Sequence, residues 1–95
     1  MTIRLDPKAV DDLEQYLSHV ERADSAAAGR EFERVRAVLE ALEERPSLGR
    51  HDALRGLRRP VRSFPIPPLR LYYEADDEGI YVLRVYHQAR RPISR

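Results

Sequence analysis

Two alternating segments in the last quarter of the chain constrain the fold most strongly. Along residues 69–75, apolar and polar side chains alternate, as expected of a strand with one face in a core. Residues 76–79 are three acidic residues followed by glycine, a turn-forming sequence, and residues 81–86 alternate again. The pattern predicts two neighbouring antiparallel strands joined by a tight turn.

The alternation also predicts which side chains share a face of this hairpin. The predicted core face carries Leu69, Leu71, Tyr73, Ala75, Tyr81, Leu83 and Val85. The predicted opposite face carries Arg70, Tyr72, Glu74, Val82, Arg84 and Tyr86. The sequence therefore predicts that Arg70 and Arg84 project away from the core.

Two amphipathic helices are predicted to precede these strands. Asp6 followed by Pro7 is a strong helix start, and the first helix runs to about Glu21. Asp24 or Ser25 can cap a second helix, which ends before the next proline. Apolar residues recur at helical spacing at Val10, Leu13, Leu17 and Val20, with Tyr16 beside them, and then at Ala28, Phe32, Val35, Leu39 and Leu42. The two helices are expected to form an antiparallel hairpin.

A further strand is predicted between the helices and the C-terminal hairpin. Residues 46–56 are loop-like, although residues 52–55 could form a single helical turn. Residues 57–64 are predicted to form a strand, which Pro60 confines to a sheet edge or to a bulge. Residues 65–68, which read Pro-Ile-Pro-Pro, predict a stiff, extended connection instead of a tight turn.

The order of elements predicts one α+β domain over residues 1–95. An N-terminal β-strand is followed by an α-helical hairpin and then by a three-stranded antiparallel meander. One face of the sheet is expected to pack on the helical hairpin. No remaining segment is available for the other face, so we expect that face to be open to solvent or to a partner.

Composition narrows the class of protein. A chain of 95 residues, 42% of them hydrophobic, can bury one modest core. The absence of cysteine excludes a disulfide framework and a thiolate zinc site, as is usual in a reducing cytoplasm. No apolar run is long enough to span a bilayer, and the N-terminus lacks the apolar core of a signal peptide. We therefore expect a soluble, cytoplasmic protein without a cofactor.

The charges are unevenly distributed along the chain. Residues 1–47 carry 7 basic and 11 acidic side chains, whereas residues 48–95 carry 10 and 5. All basic residues except Lys8 are arginine, a bias that a GC-rich genome explains as well as a need for guanidinium groups. The second half predicts a basic platform for a phosphate backbone or an acidic partner, although exposed arginines are often only solvated. The platform residues are Arg55, Arg58, Arg59, Arg62, Arg70 and Arg84, with Tyr72 and Tyr86 either stacking on bases or packing across strands.

His87 follows the last predicted strand and lies among arginines in the sequence. It could act as a general acid or base in phosphodiester cleavage, or it could simply hydrogen-bond at the end of the sheet. His19 and His51 show no ligand spacing relative to it, so no metal site is predicted. The chain also lacks a glycine-rich phosphate loop and a nucleophile elbow, which makes an ordinary metabolic enzyme unexpected.

Several short motifs together resemble a known family, the toxins of bacterial type II toxin-antitoxin systems in the ParE/RelE superfamily. The motifs are residues 5–9 (Leu-Asp-Pro-Lys-Ala), 11–13 (Asp-Asp-Leu), 45–49 (Arg-Pro-Ser-Leu-Gly), 54–58 (Leu-Arg-Gly-Leu-Arg) and the run 80–90 that ends in His-Gln-Ala-Arg. The resemblance covers nearly the whole chain. It implies a helical hairpin packed on an antiparallel sheet, in agreement with the predicted order of elements.

Two activities divide this superfamily, and the resemblance implies one of them. RelE-like members cleave mRNA on the ribosome, whereas ParE-like members inhibit DNA gyrase. The closing His-x-x-Arg pattern resembles ParE-like sequences. The lack of a lysine cluster, and Pro92 and Ile93 at a place that often holds a tyrosine, depart from the RelE-like pattern. Gyrase inhibition, with growth arrest and plasmid stabilisation, is therefore the favoured activity. For an mRNA interferase the catalytic candidates would be Arg62, Arg84 and His87, and a third alternative is a non-toxic homologue that only binds an antitoxin.

The resemblance also implies a cognate antitoxin, either ParD-like or another small acidic protein, in a hetero-oligomer with this chain. We expect its apolar helix to lie across the helical hairpin and its carboxylates to meet arginines, with strand addition at a sheet edge as a further mode. The expected antitoxin-binding residues are Leu13, Leu17, Phe32, Arg58, Arg62 and Arg84. The expected contacts to gyrase, or alternatively to the ribosome and mRNA, are Arg58, Arg59, Arg62, Arg70, Arg84, Tyr86, His87, Arg90 and Arg91.

Overall fold

Five strands form one sheet in the computed structural model, which describes residues 2–88. The elements in chain order are β1 (Thr2–Leu5), α1 (Pro7–Ala23), α2 (Ser25–Glu44), a 3-10 turn (Pro46–Leu48), β2 (Arg50–Asp52), β3 (Val61–Ile66), β4 (Leu69–Asp76) and β5 (Gly79–His87). The strand order across the sheet is β1-β5-β4-β3-β2. The predicted α+β class, helical hairpin and antiparallel meander of β3, β4 and β5 are confirmed.

The helix starts follow the capping residues that the sequence predicts. The Asp6 carboxylate accepts a hydrogen bond from the backbone N–H of Lys8 at 2.9 Å, and Pro7 occupies the first helical position. The Asp24 carboxylate accepts from the N–H groups of Ala26 and Ala27 at 3.0 and 3.3 Å. One aspartate therefore separates the two helices and caps the second.

The first strand lies at one edge of the sheet and runs parallel to β5. Its residues pair with the start of β5, from Thr2 opposite Gly79 to Leu5 opposite Val82. A Cβ atom on Gly79 would lie 1.9 Å from the carbonyl oxygen of Thr2, and the φ angle of this glycine is +136°. Only glycine fits both the turn and the close approach of β1.

The main core lies between the helices and one face of the sheet. Its buried residues are Ala9, Val35, Leu39, Leu42, Ile66, Leu69, Leu71, Tyr73, Ile80, Val82 and Val85. The predicted apolar positions of α2 at Val35, Leu39 and Leu42 are thus confirmed, whereas Phe32 is 52% exposed. In α1 the fully buried residue is Ala9, while Val10 is 40% exposed. The apolar faces of the helices are therefore only partly used by the core.

A β-bulge in β5 changes the faces that the alternation predicted. Tyr72 pairs with Arg84 and Tyr73 pairs with Val82, so Leu83 is an extra residue in β5. As a result Val82 packs in the main core and Leu83 packs on the opposite face, the reverse of the prediction. Strict alternation could not reveal the bulge. One inserted residue moves the side chains on one side of the bulge to the opposite face of the sheet.

The segment between the helices and the hairpin also differs from the prediction. β2 (Arg50–Asp52) pairs with β3 where a loop or helical turn was expected, and β3 begins at Val61, after Pro60. Ile66 pairs directly with Leu69, so the connection is a two-residue turn and the predicted extended connection was wrong. β2 pairs with β3 only as far as Ser63, so Pro65, which pairs with Arg70 of β4, has no β2 residue on its other side and is tolerated there.

The face of the sheet opposite the helices is not bare. Val61, Tyr72 and Leu83 form a second buried cluster there. Leu54 and Leu57, in the segment between β2 and β3, pack against this cluster together with Tyr81 and Tyr86. The prediction that no segment of this chain covers this face was wrong, because a loop without regular structure can still contribute two leucines to a core. No helix within residues 2–88 is long and apolar enough to cross a bilayer.

Replacing Gly79 with alanine tests the parallel edge strand. We expect Gly79→Ala to lower the free energy of unfolding by at least about 2 kcal/mol, because it forces a strained φ angle and displaces β1. Gly29→Ala is the matched control, since a Cβ at that helical position meets no atom within 4 Å. The control should raise stability by about 0.5–1 kcal/mol in the same denaturant titration. Equal effects of the two substitutions would contradict the β1 placement.

Asp6 should make stability depend on acid pH. The pKa of its carboxyl is lowered from the ordinary 3.8, first by the Lys8 N–H and then by the Tyr81 hydroxyl, which donates to it at 2.8 Å. The stabilisation is therefore complete above about pH 4 and is lost as the pH falls through the pKa of the folded state. In urea titrations below pH 4, Asp6→Asn should flatten the fall in stability with pH. Tyr81→Phe should flatten it less, and an unchanged slope in Asp6→Asn would refute the role of this carboxylate.

Candidate functional site

The arginines of the predicted platform do not converge on one surface. Each of Arg59, Arg62, Arg70 and Arg84 contacts a different acceptor within this chain. Arg90 and Arg91, which were also expected to contact the target, lie outside the described residues. The prediction of one continuous cationic face was wrong, because the strands turn several of these side chains towards groups that are remote in sequence.

Arg84 joins the sheet to the first helix. Its Nε and Nη2 atoms donate to the two carboxylate oxygens of Asp12 at 2.8 and 2.9 Å, and Asp12 also accepts from the backbone N–H of Val85 at 2.9 Å. The side chains of Arg84 and Asp12 are 28% and 13% exposed. The carboxylate raises the pKa of Arg84 further above its ordinary value through the hydrogen bond. This arginine is therefore committed to holding α1 against β5.

Arg70 lies in a buried polar chain that crosses three strands. Its Nη1 donates to the hydroxyl of Ser63 at 2.8 Å, and that hydroxyl donates to the carboxylate of Asp52 at 2.6 Å. Arg70 is only 9% exposed. The pKa of Asp52 is lowered although burial, the largest influence, acts to raise it, because bonds from Ser63 and the Ala53 N–H favour the charged carboxylate. Arg70 therefore has a structural role in linking β4 to β2.

Arg62 lies on the helix side of the sheet, near the 3-10 turn. Its Nη1 donates to the carbonyl of Gly49 at 2.7 Å. The N–H of Gly49 donates to the Tyr73 hydroxyl at 2.9 Å, and that hydroxyl donates to the carbonyl of Pro46. Burial raises the pKa of the Tyr73 hydroxyl. Arg62 thus contributes to fixing the turn that precedes β2.

The segment from residue 53 to residue 60, here called the basic loop, presents the exposed arginines of the predicted set. Arg55, Arg58 and Arg59 are exposed on it, while Leu54 and Leu57 pack inwards. Arg59 forms an ion pair with Glu74 on β4. The loop is therefore attached to the sheet by two leucines and one ion pair and carries positive charge on its outer side.

The two predicted aromatic residues pack against each other and against Arg84. The rings of Tyr72 and Tyr86 are 5.8 Å apart in an edge-to-face arrangement, and the Arg84 guanidinium lies 4.5 Å from the Tyr86 ring centroid. Tyr72 is buried. Tyr72 therefore packs across strands, as one of the two predicted alternatives stated. Tyr86 packs against the second buried cluster, to which Tyr72 belongs.

The three residues proposed for an mRNA interferase are not brought together. Ile66 of β3 pairs with Leu69 of β4, and Leu69 pairs with His87 of β5. Arg62 therefore lies four residues along β3 from Ile66 and two strands across the sheet from His87. At ordinary strand spacings this is roughly 16 Å. Arg84 meanwhile points to the carboxylate of α1. The arrangement provides no shared position for a scissile phosphate.

His87 lies at the end of β5 beside α1. Its ring centroid is 6.3 Å from that of Tyr16, and both residues line a groove between α1 and the ends of β4 and β5. Within residues 2–88 no group of three histidine or carboxylate side chains is arranged to hold a metal ion. The histidine therefore belongs to a concave surface on the helix side of the sheet and not to the basic loop.

The apolar residues expected to bind the antitoxin differ in exposure. Leu13 is partly buried against the core, Leu17 is half-buried outside it, and Phe32 is the most exposed of the three. Leu48, which the sequence analysis did not select, is 41% exposed. Large apolar side chains are therefore available to a partner on α2 and near the 3-10 turn.

Asp12 is the residue of this region that sequence reasoning missed. In the sequence it stands out only as part of the motif at residues 11–13, and nothing in the local sequence distinguishes it from Asp11. Its contacts with Arg84 and Val85 span more than seventy residues. Such a pairing cannot be read from periodicity, because it depends on how the helix crosses the sheet edge.

A double-mutant cycle tests the contact between Arg84 and Asp12. Arg84→Met with Asp12→Asn should give a coupling free energy of at least about 1.5 kcal/mol, because a partly buried, two-point charged contact is lost. The exposed pair Arg36 and Glu40 on α2 is the control, and its Met and Gln substitutions should couple by about 0.3–0.5 kcal/mol. Equal couplings, measured by urea unfolding, would show that Arg84 is not anchored as described.

The sequence matches one family model, which describes the ParE toxin of the type II toxin-antitoxin system parDE. The match covers residues 3–92. The comparison with curated proteins gave no match. Apart from Thr2, the first residue of β1, the family match covers both helices and all five described strands. This chain belongs to the ParE toxin family of type II toxin-antitoxin systems.

Proposed function

We propose that this protein is a toxin that inhibits DNA gyrase and is neutralised by a cognate antitoxin. The observation that carries the proposal is the family match over residues 3–92, which includes the basic loop, the groove and both helices. In this proposal the protein inhibits its target by binding it through surface contacts, and it catalyses no reaction.

The basic loop is the best candidate for contact with the target. Leu54 and Leu57 hold it on the sheet, so Arg55 and Arg58 are presented from a fixed base. Gly56 has a φ angle of +85°, which favours glycine, and it lies in the turn that the hydrogen bond from Leu57 N–H to the Leu54 carbonyl closes at 3.0 Å. A fixed positive surface of this kind suits an acidic protein surface or the phosphates of gyrase-bound DNA.

The geometry gives less support to the mRNA interferase alternative. Arg62 and His87 are separated along and across the sheet, and Arg84 is paired with Asp12. General acid-base chemistry on a phosphodiester needs its groups within hydrogen-bond reach of one substrate. The favoured target is therefore gyrase. Pulse-labelling of DNA and protein synthesis would detect an mRNA interferase.

The antitoxin partner follows from membership of the family, and the structure suggests where its apolar residues bind. Phe32 on α2 is 52% exposed, although it occupies the apolar stripe of that helix. An exposed phenylalanine on an otherwise well-formed helix marks a surface that a partner would cover. We propose that the antitoxin covers Phe32 with an apolar helix, as part of a hetero-oligomeric complex.

Gyrase inhibition can be tested with purified components. The protein should block supercoiling by gyrase, and Arg58→Glu should reduce this inhibition by about tenfold or more, because a charge of the wrong sign is placed on the contact surface. Arg30→Glu is the matched control, since Arg30 is an exposed arginine of α2 away from the basic loop. The control should inhibit like the original protein, and both variants should unfold at the same denaturant concentration as the original.

Pulse-labelling after induced expression separates the alternatives in cells. A gyrase inhibitor should stop DNA synthesis first, whereas an mRNA interferase would stop protein synthesis first. Growth without arrest would support a non-toxic homologue and would remove the proposal, as would unaffected supercoiling at saturating protein.

A further inference from the structure

We propose that Arg70 is a positioning residue, which fixes the start of the basic loop for target binding by acting through Ser63 and Asp52. That the loop contacts the target rests on the proposed function, whereas the positioning of the loop rests on contacts within this chain. A direct contact between Arg70 and the target was expected from the sequence. The two roles predict different effects of substitutions at the neighbours of Arg70.

The polar chain of Arg70, Ser63 and Asp52 lies on the face of the sheet that carries the basic loop. Ser63 of β3 pairs with Tyr72 of β4, and Asp52 of β2 pairs with Val61 of β3. Paired residues of neighbouring strands point to the same face, and Arg70 shares the face of Tyr72 because it lies two residues before it. Val61 and Tyr72 belong to the second buried cluster, on which the loop packs. The polar chain therefore runs across the sheet on the loop side.

The hydrogen bonds of this polar chain lead in one direction, from Arg70 to the backbone of the loop. Arg70 Nη1 donates to Ser63 Oγ at 2.8 Å. A guanidinium group cannot accept, so the hydroxyl proton of Ser63 is directed to Asp52 Oδ2, which lies 2.6 Å away. The other carboxylate oxygen, Oδ1, accepts from the backbone N–H of Ala53 at 2.8 Å. Ala53 is the first residue of the basic loop, so the polar chain ends on the loop itself.

Burial separates the role of Arg70 from that of the exposed arginines. Arg70 and Ser63 are only 9% and 1% exposed. A buried charge is tolerated where its hydrogen bonds are made in good geometry, and this favours one arrangement of the groups that make them. Arg70 offers almost no surface to a target, whereas Arg58 is exposed on the loop. Arg70 therefore acts on the target through the loop and not by contact.

Other contacts hold the middle and the end of the loop. Leu54 and Leu57 pack on the second buried cluster, and the N–H of Leu57 donates to the Leu54 carbonyl at 3.0 Å. Near the end of the loop, Arg59 forms its ion pair with Glu74. A loop fixed at its start, middle and end presents Arg58 in one orientation. Such preorganisation favours binding, because less conformational freedom is lost when the target is bound.

Three substitutions along the polar chain separate positioning from direct charge contact. Arg70→Met removes a positive charge, Ser63→Ala removes no charge and Asp52→Ala removes a negative charge. If the polar chain positions the loop, each variant should require about fivefold more protein to inhibit supercoiling by gyrase, because the binding-competent loop conformation is less populated. If Arg70 instead attracted the target by its charge, Asp52→Ala would strengthen inhibition and Ser63→Ala would leave it unchanged.

Backbone ¹⁵N relaxation reads the loop without gyrase. The amide order parameters of residues 53–58 should fall from about 0.85 to below about 0.6 in each variant, whereas those of α2 should stay near 0.85. A loss of global stability does not change the order parameters of the folded protein, so this measurement detects positioning alone. Ser63→Ala removes a single oxygen atom and keeps the test valid if a larger substitution unfolds the protein. Arg36→Met, at an exposed arginine of α2, is the control and should change neither the loop nor inhibition.

The proposal is overturned if Ser63→Ala leaves the order parameters of the loop unchanged. It is also overturned if inhibition rises in Asp52→Ala while it falls in Arg70→Met. A loosened loop with full inhibition would refute the role of positioning in target binding but leave gyrase inhibition intact. If the original protein does not inhibit gyrase, the proposed function fails, and the order parameters alone decide whether Arg70 fixes the loop.

Discussion

The carboxylate of Asp12 holds the sheet and the helices together at the place where β1 ends. β1 satisfies the edge of β5 as far as Val82, and beyond that point Asp12 accepts the N–H of Val85. The same carboxylate binds Arg84, whose guanidinium lies on the ring of Tyr86. A side chain of α1 thus continues the hydrogen bonding of an edge strand, and this fixes the helix beside β5 and opens the groove next to it.

The elements that depend on local chemistry could be predicted from the sequence. The two capping aspartates, Asp6 and Asp24, and the turn before Gly79 act within a few residues, so their effects are visible in the sequence itself. The β5 bulge and the short β2 could not be predicted, because each is defined by its pairing partner. The faces of Val82 and Leu83 were inverted for this reason. The expectation of a bare face failed for a different reason, because Leu54 and Leu57 pack on that face from a loop without regular structure.

The positions of the exposed charges depend on contacts that are remote in sequence. A count of arginines predicts positive charge but not where that charge is exposed. Arg70 and Arg84 are largely removed from the surface by Ser63 and Asp12, which precede them in the chain by 7 and 72 residues. What remains exposed is the basic loop on one face of the sheet and, on the helix side, the carboxylates of Asp11 and Glu14 on α1. The small net charge of +1 conceals two surfaces of opposite sign.

The separation of these two surfaces limits how an antitoxin can act. The groove lies on the helix side of the sheet, whereas Leu54 and Leu57 hold the basic loop on the opposite side. A partner segment on the helix side of the sheet would therefore leave Arg58 exposed, and a partner that covered both surfaces would have to pass around the sheet. If the target binds the basic loop, as we propose, a partner confined to the helix side could exclude the target only by its bulk, whereas an extended chain could cover both surfaces at once.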